Sequence, residues 1–314
     1  MPLDGVFGAL CDGHTISTDV PATTVPVGDG VTLSGARPVH AHLDLSPGLE
    51  LGTPLAFKPD MAAALERALT QGALSRPDGT PRPVLLGADT DPYQPVERTL
   101  RLTRATLDVL ERFGHPVSIA TRCTGVLRDL DPLKGLAARG AVRVWFPVAT
   151  LDAALARTME PRADAPTRRL QAAAALGAAG VPVGVLAAPM IPGLNDAEME
   201  RILDAASRAG VRQAGYALLR PPHEVQDRLA AWLREHFPER ARHVLALIRE
   251  TRTAALAEDH LTRRRFPGAT TYPDALAQRF LRVTRRLGLQ AHNTLDTGRV
   301  GPPVARAEPQ LSPS

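Results

Sequence analysis

VLLGADTDPYQPVE, residues 84–97, is the stretch whose reading decides the fold. It opens on an apolar, β-rich run. A polar, proline-pinned segment follows and carries Asp89, Thr90, Asp91, Tyr93 and Gln94. Glu97 then falls in the first turn of a helical pattern whose stripe is Leu100, Leu107, Leu110 and Phe113. Strand, polar loop and helix make the first part of a βαβ unit. The same order recurs outward from this point. Strand-forming runs stand at 84–87, 117–121, 142–148, 183–187 and 213–219, with helical patterns between them. Met199, Ile202, Leu203 and Ala206 follow i, i+3, i+4, i+7, behind Asn195 or Asp196 as a helix cap. Gly180 and Gly210 stand where helices should stop. Strands separated by helices imply right-handed crossovers and a parallel sheet. Rossmann and barrel folds share that pattern, but no GxGxxG opens a helix, which counts against a dinucleotide-binding fold.

In a parallel α/β barrel, ligands bind at the carboxyl ends of the strands. The unusual polar residues gather at those ends. Asp89, Thr90, Asp91, Tyr93, Gln94 and Glu97 follow the first strand; Thr121, Arg122 and Cys123 follow the second. Thr150 follows the third, Asn195 and Asp196 the fourth, and Arg220 the fifth. The pattern predicts a cleft lined by Asp89, Asp91, Tyr93, Thr121 and Asn195. Two carboxylates two residues apart suit a ribose, an amino group or a metal, while Asp91-Pro92 and Glu97 suit a turn and a helix cap. Both readings can hold together. Glu160, Pro161 and Arg162, with Arg168 and Arg169, read equally as a carboxylate or phosphate clamp and as a loop salt bridge. A lone Cys123 reads as a small buried filler rather than a nucleophile. His40 and His42 alternate in an extended run but have no third ligand at a telling spacing, so no metal is expected of them.

Further out the alternation ends. Val225, Leu229, Trp232, Leu233 and Phe237 form one amphipathic stripe; Leu276, Phe280, Val283 and Leu287 form another. These helices are expected to pack on or cap the barrel. The boundaries read as an irregular arm over 1–36, a barrel over 37–222, a helical extension over 223–292 and a disordered tail over 293–314. No internal repeat is visible.

The chain has 314 residues, 44% of them hydrophobic, which is enough for a sizeable core. Two cysteines, Cys11 and Cys123, exclude a disulfide framework and fit a reducing, cytoplasmic setting. No apolar stretch approaches the roughly 18 residues of a membrane span, so no membrane partner is expected. The net charge is +4, carried almost wholly by arginine, since Lys58 and Lys134 are the only lysines. Arginines at 263–265, and Arg279, Arg282, Arg285 and Arg286 on one helix, suit phosphates. Aromatics are only 4% of the chain, too few to interleave for base stacking, so solvated faces are the favoured reading over nucleic-acid binding.

Residues 36–48 (ARPVHAHLDLSPG), 87–97 (GADTDPYQPVE), 127–130 (LRDL), 158–163 (TMEPRA) and 188–196 (APMIPGLND) resemble the radical S-adenosylmethionine (SAM) superfamily. The branch is an uncharacterised one near the DNA repair photolyase and spore photoproduct lyase group. The resemblance covers about 36–289. It implies an α/β fold, a partial (β/α)6 radical-SAM-type TIM barrel with a C-terminal helical extension. It also implies SAM as a cofactor, with Asp89, Thr90, Asp91, Tyr93, Gln94, Thr121, Arg122 and Asn195 as the candidate cofactor-binding residues.

One family feature is missing. Members carry CxxxCxYC just before ARP, and those thiolates hold a four-iron cluster. A gapless alignment through ARP puts Val27, Val31 and Ser34 at the cysteine positions and Leu33 at the aromatic one. Valine has no lone pair, and a serine hydroxyl is a hard, weakly acidic oxygen. The resemblance therefore implies a degenerate member, a pseudoenzyme that retains a SAM or nucleotide pocket but holds no [4Fe–4S] cluster and no metal at those positions. No catalytic residue is assigned and no partner is identified. The rival reading is an active enzyme that cleaves SAM to a 5′-deoxyadenosyl radical, with an altered cluster loop or ligands from a partner. A third is a nucleic-acid-binding module.

Overall fold

The computed structural model describes residues 61–75, 79, 81, 83–87, 91–95, 97–219, 221, 223–256 and 271–291. The arm over 1–36, the positions Val27, Val31 and Ser34, both histidines His40 and His42, Asp89, Thr90, Arg220, residues 263–265 and the tail over 293–314 lie outside them.

Six strands form one parallel sheet in chain order: β1 (Val84–Leu86), β2 (Val117–Ala120), β3 (Val142–Pro147), β4 (Val183–Met190), β5 (Gln213–Leu218) and β6 (Gln290–Ala291). The register pairs Val117 with Val142, Val144 with Val183, and Val185 with Ala214. Every residue of β3 and β4 is buried, the signature of strands covered on both faces. β4 runs three residues past its expected end because Ala188, Pro189 and Met190 continue the buried apolar run. The register with β5 shifts between Ala187 and Met190, around a proline that has no N–H to give. No pairing joins β6 back to β1 among the described residues, so the sheet is a partial (β/α)6 barrel.

Helices return the chain between strands. They are α1 (Met61–Thr70), α2 (Glu97–Leu100), α3 (Leu102–Phe113), α4 (Leu130–Ala138), α5 (Ala153–Met159), α6 (Pro166–Ala178) and α7 (Met199–Arg208). After β5 come α8 (His223–His236), α9 (Pro238–Leu256) and α10 (Tyr272–Leu287). Leu107 and Leu110 of α3 are fully buried, and Phe113 packs beside them. Leu100 falls off the expected stripe. It ends the short α2, and Arg101, at φ 50°, breaks the helix before α3 begins. The carboxylate of Glu97 accepts from the N–H groups of Thr103 and Arg104, so it caps α3 as well as opening α2.

Met199, Ile202, Leu203 and Ala206 bury the expected face of α7. Its expected cap is a correction: Glu198 stands at the N-cap without a side-chain cap bond, and Asn195 and Asp196 serve other groups. Gly180 and Gly210 adopt φ 84° and 80° just past α6 and α7, as their positions predicted.

Two apolar layers flank the sheet. The larger lies between the sheet and its helices and includes Ile119, Val144, Phe146 and Val185. The smaller covers the opposite face and consists of Trp145, Leu186, Ala188 and Ala217. Here the indole of Trp145 lies against Gly184; a Cβ at 184 would come 2.2 Å from the ring. α10 joins the larger core through Leu276, Phe280 and Val283 and leads into β6, so it acts as the crossover from β5 to β6. α8 and α9 are an insertion in that crossover. Their own core is Leu229, Trp232, Leu233, Ala241, Val244 and Ile248, set against Ala149, Ile191, Leu194 and Leu219 at the strand ends. The helical extension thus covers the carboxyl ends of β3, β4 and β5.

Candidate functional site at the carboxyl ends of the strands

The site begins with a close backbone approach. Gly87 has φ 89°, and a Cβ there would stand 1.9 Å from the carbonyl oxygen of Ala120. Only glycine fits, and the chain leaving β1 therefore presses against the end of β2. Asp91 lands over that end. Its Oδ1 accepts from Thr121 Oγ1 at 2.7 Å and from Tyr93 N at 2.9 Å; its Oδ2 accepts from Arg122 N at 2.6 Å. Thr121 Oγ1 in turn accepts from Cys123 N. Asp91, Thr121 and Arg122 are brought together, with the aspartate cross-tying the first two βα loops.

The next tie is ionic. Arg122 Nε donates to Glu160 Oε1 at 2.6 Å, and Arg169 Nη2 donates to Glu160 Oε2 at 2.6 Å. Arg169 also donates to the carbonyls of Pro147 and Asp164, each at 2.7 Å. Its side chain is 1% exposed and that of Glu160 4%. Burial pushes the Glu160 carboxyl up, but the charges of Arg169 and Arg122 outweigh it and hold the group below the usual carboxylate range. The salt-bridge reading of this motif is the one these contacts show. Glu160 is committed to a buried bridge, and Arg169 spends every nitrogen on it or on main chain. Asp164, which the sequence did not single out, accepts from both N and Oγ1 of Thr124 and donates its own N–H to the carbonyl of Arg122.

Cys123 is half-buried between these loops. Burial, then the negative charges of Asp91 and Asp164, push its thiol up to about 12. It is held as a neutral thiol, as the filler reading expects. Tyr93 is buried against Gly125 with its ring 5.8 Å from the Arg128 guanidinium. Burial, then the charge of Asp129, raise its phenol well above the ordinary value. Gln94 is half-buried and accepts from Glu97 N through its carbonyl.

On the other side of the rim, Asn195 is completely buried. It donates to the carbonyls of Ala149 at 2.7 Å and Pro189 at 2.9 Å, and accepts from Ile191 N at 2.6 Å. Those bonds lock the β3 loop to the β4 loop. Thr150 donates to Glu198, which also accepts from Leu151 N. Asp196 accepts from Gly193 N at 2.8 Å and from the Tyr272 hydroxyl at 2.5 Å, while Arg279 pairs with Glu200. Glu198 and Tyr272 escaped the sequence reading because their partners are set by tertiary contact; Arg279, read there as part of a solvated arginine face, instead donates to Glu200 and to the carbonyl of Asp196. Asp91, Thr121 and Arg122 stand together at the ends of β1 and β2; Tyr93 and Asn195 turn into the protein nearby. Among the described residues, no group of three or more His, Cys, Asp or Glu is placed to hold a metal ion.

An open parallel sheet with helices returning between its strands defines an α/β protein of partial-barrel fold. Residues 66–206 match the model of the radical SAM superfamily. It is 32% identical over 206 residues to an uncharacterized protein of Mycobacterium tuberculosis and equally to one of Mycobacterium bovis, covering 65% of this chain. It spans 59% of the length of those relatives. Among solved structures, a spore photoproduct lyase variant resembles it with TM-score 0.44 and 16% identity, over 76% of this chain and 67% of that one. Streptococcus suis SuiB bound to S-adenosylmethionine resembles it with TM-score 0.40 and 18% identity, over 65% and 40%. Among the described residues no helix is long and apolar enough to cross a membrane.

Proposed function

We propose that this chain binds SAM or a closely related adenine nucleoside at the carboxyl ends of β1 and β2 without holding a [4Fe–4S] cluster on its own cysteines. The binding half of this reading is supported by the superfamily match over 66–206 and by the convergence of Asp91, Thr121 and Arg122. The cluster half is carried by one observation on cysteine chemistry. A cluster of this kind needs three thiolates, and the chain has two cysteines. One of them, Cys123, faces two carboxylates that oppose its ionisation. The residues present do not fit the cluster, and no reaction step is drawn through it. Binding in a cytoplasmic setting, as a pseudoenzyme, is the role proposed.

The test measures iron and sulfide after anaerobic reconstitution, alongside SAM binding by calorimetry. SAM binding with no retained iron supports the reading. About four irons per chain surviving gel filtration, with a brown chromophore, would overturn it. The superfamily match across 66–206 favours one second reading, an active SAM-cleaving enzyme whose cluster ligands come from outside this chain. That reading expects iron and 5′-deoxyadenosine only when the missing ligands are supplied.

A further inference from the structure

We propose that the outer face of α10 is a docking surface for an acidic segment of a partner protein that carries an apolar side chain at its centre. Leu281 is the anchor of this surface, and Arg282, Arg285 and Arg286 are its cationic rim.

Leu276, Phe280 and Val283 turn one stripe of α10 into the core, so the opposite stripe meets solvent. Leu281 is 53% exposed on that stripe; with Leu127 it makes up the exposed large apolar side chains among the described residues. A single exposed leucine is ordinary on a protein surface, and its surroundings decide what it can do. Arg282 stands beside it, Arg285 one turn further along, and Arg286 one turn on from Arg282; all three are exposed. The nearby carboxylates are already taken. Glu200 accepts from Arg279 through both oxygens, at 2.8 and 2.6 Å, and Arg286 lies in its field without a hydrogen bond to it. Asp274 is held in the capping box of Thr271, about two turns before Leu281. Arg282 and Arg285 have no carboxylate within ion-pair distance among the described residues. The face therefore keeps a net positive charge. The helix dipole accounts for Arg285 and Arg286 in the last turn, but its effect fades before Arg282 and gives no reason for an exposed Leu281. Arginine stems add their methylenes to the apolar patch and keep their charges at its edge. An apolar centre with a charged rim is the anatomy of a protein interface. A nucleic-acid backbone would leave Leu281 unused, and this face exposes no aromatic ring on which a base could stack.

The experiment uses the full chain and three fluorescein-labelled probes: a peptide of repeating Glu-Leu-Glu-Glu units, polyglutamate of equal charge, and a DNA duplex. Anisotropy reads the affinities, and circular dichroism checks the helix content of every variant. The native chain should bind the leucine-containing peptide more tightly than polyglutamate. Leu281→Ser should weaken that peptide about tenfold and leave polyglutamate within about twofold, as expected for loss of one buried leucine. Replacing Arg282, Arg285 and Arg286 together by glutamine should weaken both peptides about tenfold or more, whereas Arg157→Gln, Arg201→Gln and Arg240→Gln together, an equal loss of charge on other exposed faces, should cost less than about twofold. Leu281→Ser alters only a solvent-facing side chain, so it keeps the test decisive where the triple arginine variant loses helix. Equal losses in the two triple variants would reduce the effect to net charge and overturn the proposal. Tighter binding of the duplex than of the leucine-containing peptide, unchanged by Leu281→Ser, would make this a phosphate surface and overturn it too. So would failure of the native chain to bind that peptide at millimolar concentration.

Discussion

The two halves of the carboxyl-end rim are built from opposite chemistry. At β1 and β2 the loops are tied by charge: Asp91 to Thr121 and Arg122, Arg122 to Glu160, Glu160 to Arg169. At β3 to β5 the strand ends are roofed by apolar side chains of α8 and α9, with Leu229, Trp232 and Leu233 against Ile191, Leu194 and Leu219. Polar ties also exist there, but Asn195 spends its amide on main chain under the roof. The contrast separates a half held together by largely buried charge from a half covered by a helical insertion.

The comparison is tested hardest by Arg169→Met. The variant leaves Glu160 with a single partner and orphans the carbonyls of Pro147 and Asp164. Breaking a buried pair in this way is expected to cost about 3–5 kcal/mol. Denaturant unfolding followed by circular dichroism reads it, and a native-like midpoint would show that the charged half contributes little to holding the fold. Leu233→Ala probes the other half. The side chain is fully buried in the roof, and its truncation is expected to cost about 2–4 kcal/mol. Ligand binding at β1 and β2 should be unchanged; a matched loss of affinity would mean that the halves are not separable.

The third test uses acid. The folded Glu160 carboxyl is held below its ordinary value of 4.5, so its contribution is full above that value. It is lost as pH falls through the depressed folded value. The two tryptophans, Trp145 beside the sheet and Trp232 in the roof, report the regions separately once each is replaced by phenylalanine in turn. The Trp145 signal should change at higher pH than the Trp232 signal. Coincident transitions would merge the two halves into one cooperative unit. The smallest effect is expected from Arg101→Gly. Arg101 holds φ 50°, which glycine adopts without strain, so the variant should be more stable by about 0.5–1 kcal/mol in the same unfolding assay. A loss of stability would show that the arginine side chain outweighs its backbone strain.

Five of the six strands were legible because buried parallel strands are written as local apolar runs, and β3 and β4 are buried along their whole length. β6 was not, since Gln290 and Ala291 are two exposed edge residues with no apolar run to mark them. The grouping of Asp91 with Thr121 and Arg122 followed from strand order, which places the first two loops side by side. The partners within each group did not. Asn195 looked like a cap because it precedes a helix, but Ile191 N–H takes the side-chain oxygen that a cap would use, while the amide NH2 donates to the carbonyls of Ala149 and Pro189. Glu160 sat beside three arginines in sequence, and only packing decides that Arg169 and the distant Arg122 take its two oxygens.

The contact between Trp145 and Gly184 carries a consequence for descent. With an indole atom 2.2 Å from where a Cβ would stand, position 184 cannot gain a side chain while the indole keeps its place. A lineage that acquires alanine or anything larger at 184 has to surrender the indole at 145, and one that keeps the indole has to keep the glycine. A side chain at 184 should therefore be found only in descendants that have given up the indole at 145.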